Sequence, residues 1–406
     1  MKHRPLLFLL LIVLVMVLIW AFRPASRGGA PCLSGLCGTG GAGGEAVVWR
    51  PAGLQPASKV SKPPASVAVV RQWQSRPYPE HEVNLILLGD WGSANKSQAA
   101  VARTLAAYMA RTGVQFNGVL SLGDNLYVKL KDIDDYQWQS LFEDMYDPQF
   151  VNCPFYAVLG NHDYEEKKPQ IQLEYAARKP HSRWKMPAKW YRVDFPPSNP
   201  FVGVILLDSD RPRLAQWEWD EQLAFLEAEL LKPRAGWMIV GAHHPLFSNS
   251  VHGDVGLLQV EWGTLFRKYD VDFYVSGHDH NLQHLEIPGW PTSFIVSGGG
   301  GRETNPMRRA RGPFARQKHG FVHMRLNPEM AEAIFIDGND GSVLHHFRRD
   351  VAGNVVVLAT TGCDKTKPVK PIGEFEVGDK VSPRVPSLDP EPPAHPTTQP
   401  LIEVKD

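Results

Sequence analysis

Between residues 83 and 336 short apolar runs alternate with stretches whose apolar positions recur at helical spacing. Val83-Asn-Leu-Ile-Leu-Leu88 is a strand-like run that ends at Gly89-Asp90. The next stretch places Val101, Leu105, Tyr108 and Met109 on one helical face over Ser97–Arg111, and Gly113 stands where a C-capping glycine belongs. Strands are predicted again at 118–122, 155–159, 201–207, 237–240 and 271–276. Helices are predicted at 136–146, at 221–231 (stopped by Pro233) and at 257–269. The runs 294–297, 321–325 and 331–336 read as further strands, the last two fit to pair as a hairpin. Strands and helices in this alternation argue for the α/β class, a layered β-sandwich flanked by helices.

The flanks read differently. Met1-Lys-His-Arg-Pro is followed by an uncharged stretch from Leu6 to Phe22, at the short edge of a membrane span. An N-terminal hydrophobic helix over 1–22 is expected, as an uncleaved anchor rather than a cleaved signal, with the rest exported. Lys2 and Arg4 precede it and Arg23 and Arg27 follow, so flanking charge does not fix orientation. Residues 23–81, rich in Gly, Pro, Ala and Ser, read as a flexible stalk. The catalytic domain is expected over 82–350, and the proline- and charge-rich segment 351–406 as a largely disordered tail.

Composition narrows the function by exclusion. The chain has 406 residues, 43 basic and 43 acidic, so bulk charge gives no argument for nucleic acid. Of four cysteines only Cys153 lies inside the expected domain, so no internal disulfide can staple it. Cys32 and Cys37 sit in the stalk and are either paired or free.

The chemistry gathers where strands end. In layered α/β folds, ligands and catalytic groups collect at the carboxyl ends of strands. Here the junction residues are Asp90, Asp124, Tyr127, Asn161, His243, His278 and His280, with His162 and His252 nearby. Any one of them has a bland reading, a turn Asp or Asn capping the next helix. That reading fails for the set, because five strands in order each end in glycine and a ligand-type side chain. His278 and His280, two apart, leave one strand end together and can meet one metal or two adjacent ones.

Five blocks carry a resemblance: Gly89-Asp90-Trp91-Gly92, Gly123-Asp124-Asn125-Leu126-Tyr127, Gly160-Asn161-His162-Asp163-Tyr164, Ala242-His243-His244-Pro245 and Gly277-His278-Asp279-His280-Asn281-Leu282-Gln283. The chain resembles the calcineurin-like metallophosphoesterases, and within them the purple acid phosphatases of the small, tartrate-resistant type. The resemblance implies a hydrolase, a binuclear-metal acid phosphatase acting on small phosphate monoesters. The alternative is a phosphodiesterase or nucleotidase of the same superfamily; a third reading, a tethered binding module without activity, finds no ligand position missing.

Carried over, the resemblance implies that Asp124 bridges two metal ions. Asp90, Tyr127 and His280 would complete an Fe(III) site, and Asn161, His243 and His278 a divalent Fe, Zn or Mn site. Hard carboxylate and phenolate oxygens suit the ferric ion, and neutral amide and imidazole suit the divalent one. Two such ions activate a water and clamp the phosphate. His162 or His252 would supply the leaving group's proton. Val251 stands where close relatives often carry an acid, a departure that bears on leaving-group protonation.

Gly298-Gly-Gly-Gly301 reads either as backbone approaching a phosphate or as a tight turn. The basic loop containing Arg302, Arg308, Arg309, Arg311, Arg316 and Lys318 reads as solvated, with substrate steering the other possibility. His244, His284, His319, His345 and His346 read as non-ligands, and Trp91, Trp190 and Trp217 as packing residues.

Overall fold

The computed structural model describes residues 48–49, 82–233 and 236–366. The expected N-terminal helix, Cys32, Cys37 and the last forty residues lie outside them. Among the described residues no helix is long and apolar enough to cross a membrane.

Two sheets face each other. The first has nine strands in the spatial order β1 (Val48–Trp49), β16 (Val355–Thr360), β15 (Val343–Asp350), β14 (Met330–Asp337), β13 (Gly320–Leu326), β2 (Val83–Leu88), β3 (Gly118–Ser121), β4 (Phe155–Ala157) and β5 (Trp184–Lys185). The second has seven: β12 (Phe314–Arg316), β10 (Leu282–Glu286), β11 (Ser293–Ser297), β9 (Phe273–Ser276), β8 (Trp237–Gly241), β7 (Val202–Leu206) and β6 (Tyr191–Phe195). The β2-β3-β4-β5 run is parallel, and so is β7-β8-β9-β11. The expected hairpin is present as β13 and β14, paired antiparallel.

Side-chain alternation along each strand builds three apolar layers. On β2, Val83, Leu85 and Leu87 point between the sheets, while Ile86 and Leu88 point outward. The outward face is covered by α1 (Lys96–Thr112) through Val101, Leu105, Tyr108 and Met109. Asn95 caps the start of α1 by accepting from Gln98 N, and Gly113 closes it at φ 64°, as its position predicted. On β8, Trp237 and Ile239 point inward; Met238 and Val240 meet α3 (Gln216–Leu230) and α4 (Gly256–Lys268), whose Trp219 and Trp262 stack at 5.5 Å. Truncating an inward leucine such as Leu87 to alanine costs roughly 2–5 kcal/mol by lost transfer energy and cavity formation. The result is a helix–sheet–sheet–helix stack whose middle layer holds five strand ends in fixed relation.

Four features differ from the sequence reading. The helix expected over 136–146 is a single α turn, Tyr136–Trp138, continued by a π turn over Gln139–Glu143. A further helix, α2 (Lys168–Arg178), buries Gln172 and Tyr175 rather than aliphatic residues, so its periodicity is faint. Order does not fade at Asp350: β16 pairs with β15, and β1, from within the expected stalk, pairs with β16. Trp217 is 66 % exposed and does not pack, whereas Trp91 is fully buried.

Candidate metal centre

The carboxyl ends of β2, β3, β4, β8 and β9 carry the five glycine-led junctions to one place. Three of the predicted donors are held in left-handed backbone: Asp90 at φ 61°, Asp124 at φ 48° and His278 at φ 67°. Non-glycine residues seldom adopt it, at a cost of about 1–3 kcal/mol each, so the surroundings must enforce it. The glycines ahead of the donors let neighbouring loops close in. A Cβ on Gly160 would lie 2.3 Å from both Asp124 N and Oδ1, and one on Gly277 would lie 2.5 Å from Asp90 Oδ2.

All seven predicted donors converge, in two sets that share Asp124. Tyr127 Oη lies 3.3 Å from Asp90 Oδ1, 3.1 Å from Asp124 Oδ2 and 3.2 Å from His280 Nε2. In the second set, His243 Nε2 and His278 Nδ1 each lie 3.1 Å from Asn161 Oδ1 and 3.2 Å from each other. Asp124 reaches this set too, with Oδ1 3.5 Å from His243 Nε2.

The protonation pattern tests whether cations fit. His243 Nδ1 is 2.9 Å from the Leu122 carbonyl, which can only accept, so Nδ1 carries the proton. In its neutral form the ring turns a bare Nε2 lone pair towards the oxygens of Asn161 and Asp124. His280 repeats this: Nδ1 donates to the Glu303 carbonyl at 2.7 Å, leaving Nε2 towards Tyr127 and Asp90. Lone pairs aimed at one another in a buried site repel unless cations lie among them. Without cations the site would protonate instead. Burial pulls the His243 imidazole down, but Asp124 and Asp90 outweigh it and raise its pKa; His280 is likewise raised by Asp90 against burial. Burial raises Asp90. Burial also holds the Tyr127 phenol well above its ordinary range, reinforced by Asp90 and Asp124. The donor set fits a pair of metal ions.

His162 and His252 stand beside this centre. His162 N donates to Asp124 Oδ1 at 2.8 Å, and its ring lies 4.9 Å from that of Tyr127. Its Nδ1 pairs with Glu165 at 3.1 Å. His252 lies 4.4 Å from the His278 ring, with Nδ1 2.7 Å from Asp279 Oδ1.

Supporting residues carried less signal in the sequence. Asp163, fully buried, accepts from Gly160 N, Asn125 N and Gln172 Nε2, and so ties the second and third blocks together. Burial, with the Asp124 charge, pushes its carboxyl up to about 6. Asp279, also buried, orients His252 and accepts from Ser248 Oγ. Both lie inside quoted blocks, where position alone does not separate a ligand from a residue that braces one. His244, read as a non-ligand, offers a ring nitrogen within 4.8 Å of those of His243 and His278. Its Nδ1 meets Ser209 Oγ at 2.9 Å, and burial holds its pKa well below the ordinary value.

The tetraglycine packs on the first block: Gly300 N donates to Gly89 O at 3.0 Å, and a Cβ on Gly300 would lie 2.2 Å from that oxygen. In the basic loop, Arg309 and Arg311 pair with Asp254, Arg316 with Asp364 and Lys318 with Asp337.

Comparison with known proteins identifies the family. Residues 83–282 match the family described as calcineurin-like phosphoesterase. The chain is 30% identical over 298 residues to purple acid phosphatase 4 of Arabidopsis thaliana, covering 67% of this chain and 85% of that protein. It is 32% identical over 245 residues to human tartrate-resistant acid phosphatase type 5, covering 54% of this chain and 73% of that one. Among solved structures, GAP50, the anchor in the inner membrane complex of Plasmodium, shares the fold with a TM-score of 0.59 at 22% identity, over 70% of this chain and 92% of that one. A purple acid phosphatase from yellow lupin seeds shares it with a TM-score of 0.54 at 18% identity, over 72% of this chain and 58% of that one.

Proposed function

This chain belongs to the purple acid phosphatases, a family of binuclear-metal phosphatases, and we propose that it hydrolyses small phosphate monoesters at the centre built by Asp90, Asp124, Tyr127, Asn161, His243, His278 and His280. The observation that carries this reading is the convergence of the seven donors in two sets joined through Asp124, with the Nδ1 protons of His243 and His280 held by backbone carbonyls so that Nε2 faces inward. Asp90, Tyr127 and His280 would hold Fe(III), Asn161, His243 and His278 a divalent Fe, Zn or Mn, and Asp124 both. When bound, the two ions supply a nucleophile from water and charge to balance the phosphate.

The chain's own groups would do the rest. Asp279 holds the Nδ1 proton of His252, leaving Nε2 to face the leaving group. His162, whose main chain is fixed on Asp124, lies on the Tyr127 side, where it would bind the phosphate or protonate the leaving oxygen. The uncharged stretch Leu6–Phe22 supports an exported, anchored enzyme with this domain outside the cytoplasm.

The test is metal content, visible absorption and ester hydrolysis by the purified full chain. Two metals per chain, a broad tyrosinate-to-iron band and faster turnover of p-nitrophenyl phosphate than of bis(p-nitrophenyl) phosphate are expected. A colourless protein after iron is restored under oxidising conditions, or a preference for the diester, would overturn the reading.

A further inference from the structure

The chain does not leave the fold at the end of β16. Thr361 N donates to Leu344 O at 2.8 Å, and Gly362 then turns at φ 74°, a left-handed backbone that glycine adopts without strain. The turn carries the segment off the first sheet and onto the edge of the second. There Cys363 bridges Ala315 of β12 in parallel, and Asp364 N donates to Ala315 O at 2.8 Å. The Asp364 carboxylate holds two neighbours at once: Oδ1 accepts from Arg316 Nη1 at 2.8 Å, and Oδ2 accepts from Gln317 N at 2.6 Å. Arg316 Nε also donates to Thr361 Oγ1 at 3.2 Å. Beside these bonds lies a cavity of about 320 Å³ lined by Pro306, Met307, Gln317, Asp364 and Lys365. Polar contacts centred on Asp364, rather than close packing, therefore hold the segment here.

The segment grips the far end of a loop whose near end reaches His280. Gln317 Nε2 donates to Thr304 O and to Thr304 Oγ1, each at 3.2 Å. On either side of Thr304, Glu303 O accepts from His280 Nδ1 at 2.7 Å and Asn305 Oδ1 accepts from His280 N at 2.8 Å. Asn305 N returns a bond to His280 O at 3.0 Å. Residues 303–305 thus fix His280 by ring and by main chain, and Gln317 fixes residues 303–305. A contiguous line of hydrogen bonds of this kind can carry coupling between residues far apart in sequence. A ligating imidazole is oriented by the partner of its other nitrogen, so whatever steadies Glu303 O steadies Nε2.

We propose that Asp364 is a positioning residue: it latches the C-terminal segment 361–364 onto the loop 302–318 and so holds residues 303–305 where His280 keeps its orientation. The role rests on the phosphatase reading above, since only a ligating His280 needs that orientation kept.

The experiment uses the full chain as wild type, Asp364→Ala, Asp364→Asn, Gln317→Ala and the Asp364→Ala/Gln317→Ala double variant. Metal retained against a graded chelator is followed by elemental analysis and by the visible band. Amide exchange of the metal-free chains is followed by mass spectrometry in peptides spanning 278–282 and 302–306. Asp364→Ala should lower retention of the ion assigned to Asp90, Tyr127 and His280 about tenfold. The ion assigned to Asn161, His243 and His278 should be retained as in wild type, and exchange should quicken in both peptides. Asp364→Asn, whose amide oxygen can still accept from Gln317 N, should recover part of each effect. Gln317→Ala should match Asp364→Ala, and the double variant should lose no more than either, because the two residues act in one line. Equal loss of both ions would show a merely structural role; additive losses or unchanged exchange would break the line. Any of the three would overturn the proposal. A wild-type chain that binds no metal would count against the phosphatase reading, and exchange in the metal-free chains would still decide the latch.

Discussion

The two donor sets differ in charge more than in shape. One gathers two carboxylates, a phenol and an imidazole; the other an amide oxygen and two imidazoles, with Asp124 common to both. The oxygen-rich set has negative charge beyond what one divalent ion would balance once the phenol ionises. The nitrogen-rich set is neutral apart from its share of Asp124. Burial pushes acids and imidazoles in opposite directions: it raises Asp90 and Tyr127 and lowers His278, while nearby carboxylates raise His243 and His280 against it. Neutral imidazoles are ready ligands, whereas the buried acid and phenol ionise only against a strongly charged ion. The asymmetry predicts that the first ion binds tightly and that the second is exchangeable.

The largest effect should come from removing the shared donor. Asp124→Ala takes a ligand from both sets and loosens the His162 main chain. Loss of several kcal/mol of charge stabilisation corresponds to about 10³-fold or more in kcat/KM. Both metals should fall in elemental analysis. Retention of two metals per chain would show that the sets do not depend on Asp124.

His243→Ala should separate the sets. It removes one nitrogen donor and leaves Asp90, Tyr127 and His280 in place. Activity should fall on the order of 10²–10³-fold while one metal and the visible band remain. Bleaching by this variant as complete as by Asp124→Ala would erase the distinction between the two sets. A chelator series on the wild type should show the same order, with activity lost before colour.

Away from the donors, the nitrogen-rich side rests on a buried acid. Asp208 precedes Ser209, the partner of His244, and accepts from Tyr164 Oη and Asp210 N. Burial pushes its carboxyl up to about 7 from the ordinary 3.8. The folded chain then keeps a proton that the unfolded chain releases. This contribution is fully present below pH 3.8 and is lost as pH rises through about 7. Its upper bound is about 4 kcal/mol. Asp208→Asn should remove that part of the pH dependence, so urea midpoints of variant and wild type should diverge between pH 4 and pH 7. Parallel profiles would show that Asp208 is ionised in the folded protein.

The site was more legible than the scaffold, for physical reasons. A donor at a strand end follows a glycine, and the glycine is required because the next loop comes within a Cβ radius, as at Gly160 and Gly277. That leaves a local pattern, glycine then ligand, at four of the five junctions, with Ala242 between Gly241 and His243 at the fifth. β10 left none: it buries Gln283 and His284, satisfied by Ser248, Asn281, Glu286 and His345, where a strand reading looks for apolar side chains. α2 hid for the same reason behind Gln172, which serves Asp163. Polar residues that are buried because their partners are distant in sequence cannot be read locally. The bracing roles of Asp163 and Asp279 were hidden in the same way, as was the placement of Asp364.

The smallest expected effect on rate tests the oxygen-rich set most directly. Tyr127→Phe keeps the ring that Arg302 covers and that His162 contacts, and deletes only the hydroxyl. Asp90, Asp124 and His280 remain as three donors, so turnover should fall by less than for His243→Ala. Colour should respond differently. With burial and two carboxylates opposing ionisation, the phenolate would need the proposed ferric ion to stabilise it, and a visible band from that pair would need the hydroxyl. The variant should therefore be colourless and still active. A coloured Tyr127→Phe chain would remove the tyrosine from the first set. The charge asymmetry between the sets would then shrink to one carboxylate, and an exchangeable divalent ion would serve both.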